Sequence, residues 1–161
     1  MQKYLLVMIF GIILLSGCSL NVGTSKNQEP DSKVGTENQK KSYQPETAIE
    51  NGDIVNLHGK ISNLDKFKNF IKNVKSGNKD KIRITMYTDE GDPIFYNLNY
   101  DSKQIQYTFD NSQDKFAGSD KGVKSTSCTD IGTKNTENVV EYHLSGCSSE
   151  VGNTFHFLVS K

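Results

Sequence analysis

The chain has 161 residues, 34% of them hydrophobic, with mean hydropathy −0.59. That is low for a packed globular domain, so apolar residues must concentrate in one part while another part stays solvated. Lysine and arginine total 19, aspartate and glutamate total 19, and the formal charge is zero. No net basic footprint exists to neutralise a phosphate backbone, which argues against a nucleic-acid partner.

Lys3 gives a short positive start, and Tyr4 to Leu15 is an almost unbroken apolar run. Twelve residues at about 1.5 Å each cannot span a hydrocarbon core of about 30 Å. The run has the length of a signal-peptide core, followed by small residues at a cleavage point. Leu15-Ser16-Gly17-Cys18 resembles the lipobox of bacterial lipoproteins, in which the cysteine sulfur receives a diacylglyceryl group and becomes the new N-terminus. Two acyl chains anchor stably where one does not, because each buried methylene contributes about 0.8 kcal/mol. Residues 1–17 are read as a lipoprotein signal peptide and Cys18 as the lipid attachment site. The implied placement is the extracytoplasmic face of the cell membrane, held by the lipid.

Residues 18–43 contain almost no large apolar side chains after Cys18 and cannot offset their ordering entropy by burial. They are read as the lipidated N-terminus and a flexible tether, with residues 44–161 as a single extracytoplasmic domain. Pro45 suits a first helical position and Asn51-Gly52 a stop, which predicts a short helix over Pro45 to Glu50. Asp53 to Ile61 reads as a short strand or an ordered turn. Ser62 and Asp65 have capping-box spacing, and Leu64, Phe67, Ile71 and Val74 then recur on one helical face, with Phe70 beside it. Gly77 supplies the stop.

Alternation predicts three strands next. Ile82, Ile84 and Met86 share one face; so do Ile94, Tyr96, Leu98 and Tyr100, then Ile105, Tyr107 and Phe109. Turn-rich TDEGDP and DSKQ separate them, as in an antiparallel meander. A further strand or edge segment is expected around Gly122 to Ile131. Two more close the chain, with Val140, Tyr142 and Leu144 facing Phe155, Phe157 and Val159 if His143 lies opposite His156. Setting Cys18 aside leaves Cys128 and Cys147, an even pair in an exported chain, and a disulfide between them is expected. The fold class is α+β: an antiparallel sheet with one polar face and the amphipathic helix on the other, stapled by one disulfide.

The stretch from Asn51 to Phe67, with Gly91-Asp92-Pro93-Ile94-Phe95-Tyr96 and Gly146-Cys147-Ser148-Ser149, resembles a domain-of-unknown-function family of lipoproteins from bacilli. The resemblance runs over Pro45 to Val159. It implies an exported, lipid-anchored single domain and brings no catalytic residues.

No catalytic motif is present: G-x-S-x-G, H-E-x-x-H and C-x-x-C are all missing. Gly118 to Ser125 echoes a phosphate loop, but Val123 separates glycine from lysine. Asp110, Ser112 and Asp114 mimic the start of a calcium loop, yet Lys115 stands where its glycine belongs and Lys121 where its glutamate belongs. Asp89, Glu90 and Asp92 sit among Gly91 and Pro93 and read as a turn tip whose carboxylates diverge into solvent. His58 reads as a turn residue. His143 and His156 could bind zinc or copper if Glu141 or Asp130 supplied a third ligand. The lysines of the helix, with Lys79, Lys81 and Arg83, could face anionic envelope polymers or lipid headgroups. Phe95 and Phe116 are candidate exposed aromatics for recognition. The expected function is a non-enzymatic binding module at the cell envelope, without a cofactor, meeting an envelope protein or polymer; the alternative is an envelope metal-binding protein or enzyme built on His143 and His156. A secreted enzyme inhibitor is a third reading.

Overall fold

In the computed structural model, residues 42–161 are described; the lipobox and most of the tether lie outside them. Helix α1 (Pro45–Glu50) begins on its proline and ends at Asn51. Strands β1 (Ile54–Leu57) and β2 (Lys60–Ser62) form a hairpin around His58 and Gly59, both at positive φ. The alternative left open for Asp53 to Ile61 thus resolves into two strands and a tight turn.

Helix α2 (Leu64–Lys75) follows. The capping box expected of Ser62 and Asp65 does not form. Asn63 is the N-cap residue, in a left-handed conformation (φ 58°), with no capping side chain. Its Nδ2 instead donates to the carbonyls of Asp53 (2.7 Å) and Ile49 (3.2 Å), tying the helix start to α1. The C-terminus closes as the sequence implies. Gly77, at φ 71°, donates to the Val74 carbonyl while Asn78 donates to that of Asn73.

Strands β3 (Asp80–Tyr87), β4 (Pro93–Tyr100) and β5 (Ile105–Asp110) form the expected antiparallel meander. Strand β6 (Val123–Cys128) extends it on β5. The sheet is mixed, however, because β1 lies parallel to β3 with α2 carried in the crossover between them. Its order is β2-β1-β3-β4-β5-β6.

The expected single sheet is in fact two. The segment from Gly122 to Ile131 breaks at Thr129, leaving the first sheet after Cys128 and entering a second at Asp130. That second sheet comprises β7 (Asp130–Asn135), β8 (Val139–Ser145) and β9 (His156–Ser160), all antiparallel. Its register places His143 opposite His156 and Tyr142 opposite Phe157, the pairing that alternation favours.

The main core lies between the two sheets and α2. Phe67 and Phe70 of α2, Ile84, Leu98 and Tyr107 of the first sheet, and Phe155 and Phe157 by the second are all essentially inaccessible. The Phe67 ring meets Tyr142 and Phe157 edge-on, each at 4.7 Å. The Phe155 ring packs on Tyr107 at 5.6 Å and Tyr96 at 5.7 Å. Fully burying one such ring stabilises the fold by roughly 1.5–3 kcal/mol.

Cys128 and Cys147 are disulfide-bonded across 19 residues of sequence. The bond ties the last residue of β6 to the loop after β8, so it staples one sheet to the other. Loop closure of that size contributes about 3 kcal/mol on the chain-entropy account. The turn beside it is held too: Ser148 N–H donates to the Ser127 carbonyl, and Ser149 N–H to Thr126 Oγ1. A Cβ on Gly152 would come within 2.3 Å of Cys147 Sγ, so only glycine lets that backbone pass the disulfide. The molecule is therefore a sheet-rich α+β fold with one main helix. Among the described residues, no helix is long and apolar enough to cross a membrane.

Candidate functional site

The far face of the first sheet is less uniform than simple alternation implies. Toward β1 it is covered. Tyr43, Ala48, Val55 and Tyr87 form a second, small cluster beneath α1. Tyr43, assigned from sequence to the tether, is part of this folded unit. Its ring packs on Phe95 at 5.6 Å, and its carbonyl accepts the Tyr87 hydroxyl at 2.9 Å. Phe95, expected to be an exposed recognition aromatic, is only 7% exposed. The reason is tertiary: α1 and Tyr43 close over the side of β4 that alternation leaves outward.

At the edge of this cluster Asp53 is buried and holds three donors. Its carboxylate accepts Arg83 Nε at 2.9 Å, Thr85 Oγ1 at 2.7 Å and the Tyr43 hydroxyl at 3.1 Å. Arg83 Nη2 also donates to the Tyr43 oxygen at 2.9 Å, and the guanidinium lies 5.4 and 5.5 Å from the Tyr43 and Phe95 ring centres. Burial disfavours the charged guanidinium, but the hydrogen bond and charge of Asp53 outweigh it and raise the Arg83 pKa. Burial, with the nearby Tyr43 and Asp53 charges, pushes the Tyr87 phenol up to about 12.

Beyond Arg83 the same face opens into a polar groove of about 680 Å³. The strand register builds its floor in two rows. Arg83, Asn97 and Thr108 stand side by side, and Lys81, Asn99 and Gln106 form the next row along. Ser125 and Ser127 continue the rows onto β6. Thr108 Oγ1 and Ser125 Oγ are 2.8 Å apart, and Ser127 Oγ donates to Gln106 Oε1 at 3.0 Å. Lys66 of α2 reaches the rim, donating from Nζ to the Gly52 carbonyl at 2.8 Å. Side chains on alternate positions of neighbouring strands share a face, so these polar groups converge as a consequence of pairing alone.

The other candidates separate. Among the described residues, no group of three or more His, Cys, Asp or Glu is placed to hold a metal ion. The strand register sets His143 opposite His156, and His156 Nδ1 pairs with Glu141 Oε1 at 3.0 Å, while Asp130 Oδ1 accepts the Ile131 N–H. Phe116 is 72% exposed, as expected, but lies in the loop after β5, apart from the groove lining. The calcium-like carboxylates serve their own loop: Asp110 accepts the Ser112 N–H and Asp114 the Phe116 N–H. Asp92 departs from the expected solvent-facing turn tip. It is 2% exposed, accepts the Lys115 N–H at 2.9 Å and faces Lys115 Nζ at 3.2 Å. The backbone donor foremost, opposed by burial and aided by the Lys115 side chain, holds its carboxyl below the usual range. His58 faces Asp89 at 3.4 Å at the exposed hairpin tip.

Lys81 and Arg83 stand out in the sequence as basic residues, whereas Asn97, Asn99, Gln106 and Thr108 fall on the strand positions that alternate with the apolar ones. Their signal was the meander register, which aligns those outward residues into rows once the turns are fixed.

A disulfide-stapled α+β module with a polar groove on one sheet face defines the class. Residues 51–143 match the family described as Domain of unknown function (DUF4362), and the chain belongs to that family. The matched span holds the groove, β1 to β7 and most of β8; Cys147 and β9 follow it. No curated protein and no solved structure matches the chain.

Proposed function

We propose that this chain is a lipoprotein anchored through Cys18 on the extracytoplasmic face of a bacterial cell membrane, as its resemblance to lipoproteins from bacilli implies. Its folded domain is a non-enzymatic binding module for an envelope protein or polymer. The Leu15-Ser16-Gly17-Cys18 sequence supports the anchor, and the Cys128–Cys147 bond fits an oxidising compartment. The observation that carries the binding role is the double row of polar side chains lining the groove. Among the described residues the one carboxylate lining it, Asp53, is committed to three donors, which suits recognition better than proton transfer.

Two measurements test this reading. A clickable palmitate analogue should label the chain in growing cells, and Cys18→Ala should abolish the label. An unlabelled wild-type chain overturns the anchor. Washed cell envelopes should retain the Cys18→Ala chain, and retention should be lost when Asn97→Ala and Gln106→Ala are added. Unchanged retention overturns the groove as the binding site.

A further inference from the structure

We infer that the groove takes an anionic, hydroxyl-bearing ligand: phosphate or carboxylate groups carried on a polyol chain. The inference rests on the groove being the binding site and adds the chemistry of what fills it. Lys66, Lys81 and Arg83 line the groove against one carboxylate, Asp53, which Arg83, Thr85 and Tyr43 already engage. The cations keep donors to spare. Arg83 spends Nε and Nη2 on Asp53 and Tyr43, which leaves its Nη1 hydrogens, and its side chain is 40% exposed. Its orientation is preset by the Asp53 bond and the two flanking rings, so little freedom is lost when it meets an oxyanion. Lys66 has one bond, to the Gly52 carbonyl. Lys81 is exposed and forms no ion pair among the described residues.

The remaining lining speaks to what carries the charge. Asn97 and Asn99 each offer both donor and acceptor, Gln106 its amide hydrogens beside the bond from Ser127, and Thr108 a hydroxyl shared with Ser125, the complement of a ligand rich in hydroxyl groups. Among the described residues no aromatic ring lines the groove; Tyr43 and Phe95 pack on each other behind Arg83. A neutral sugar face held by ring stacking is therefore not what this surface is built for. Three strands are about 10 Å across and the rows about 7 Å apart. That footprint suits one or two units of a polymer lying across the sheet.

The test uses the full chain carrying Cys18→Ser, titrated calorimetrically with a glycerol phosphate oligomer, polygalacturonate and neutral dextran. At least one polyanion should bind while dextran does not, and binding should weaken as salt rises from about 50 to about 300 mM. Lys81→Gln should weaken it about fivefold, the worth of one exposed charge pair at close range. Lys134→Gln, on the second sheet, should leave it unchanged. Binding of the phosphate oligomer with competition by inorganic phosphate assigns the phosphate source; binding of polygalacturonate alone assigns the carboxylate source. Dextran binding equal to the polyanions, or equal effects of Lys81→Gln and Lys134→Gln, overturns the proposal. If no polyanion binds but envelope retention still falls with Asn97→Ala and Gln106→Ala, the ligand class fails and the binding site stands. If retention is unaffected as well, both fall.

Discussion

The two faces of the β3–β5 meander are built from alternate residues of the same three strands, yet they meet opposite fates. Ile82, Leu98 and Tyr107 stand in one row against α2 and the second sheet, and Leu98 and Tyr107 are almost wholly buried. One residue further along, Arg83, Asn97 and Thr108 stand in a half-buried row that faces the groove. The first face is closed because a helix and a second sheet need somewhere to hide their own apolar sides. The second is closed only where α1 and Tyr43 reach, and it opens where they stop. A groove of this kind costs little stability, because its half-buried side chains keep part of their water and fill no core.

The sharpest way to break the comparison is on the closed face. Phe67→Ala removes a ring that touches Tyr142 and Phe157, and it should lower unfolding stability by about 3–5 kcal/mol in denaturant melts. A loss below about 1 kcal/mol would mean that the two sheets are not packed around this helix. The junction between the faces should respond less. Asp53→Asn keeps the shape but turns an amide donor toward Arg83, Thr85 or Tyr43, and should cost about 1–3 kcal/mol. It should also lower the Tyr87 pKa, since the Asp53 charge is one cause of its rise, and a tyrosinate absorbance titration reads that shift. The smallest effect belongs to the open face, where Asn97→Ala should change stability by no more than about 0.5 kcal/mol. A larger loss would make that row structural.

Much of this contrast was legible without coordinates. The period-two pattern of β3, β4 and β5 gave the meander and its faces, and the helical spacing from Leu64 to Val74 gave α2. The His143–His156 register followed from matching two apolar sets. Cysteine parity pointed to the disulfide. The errors share one cause. Asn63 displaces Ser62 as the cap because its amide finds the Ile49 and Asp53 carbonyls, residues distant in sequence. Phe95 is buried by Tyr43, and Asp92 by the loop bearing Lys115, partners that local spacing cannot announce. The chain's change of sheet at Thr129 likewise depends on what the far ends pack against.

Sequence alone therefore determined the local elements, the side of each strand that is apolar, and the cysteine pair, because periodicity and parity are properties of near neighbours. Tertiary structure decided that there are two sheets rather than one, that β1 runs parallel to β3, and that half of an outward face is covered while the other half becomes a groove. Those outcomes turn on contacts between residues tens of positions apart, where burial and the hydrogen-bonding needs of buried polar groups override local preference.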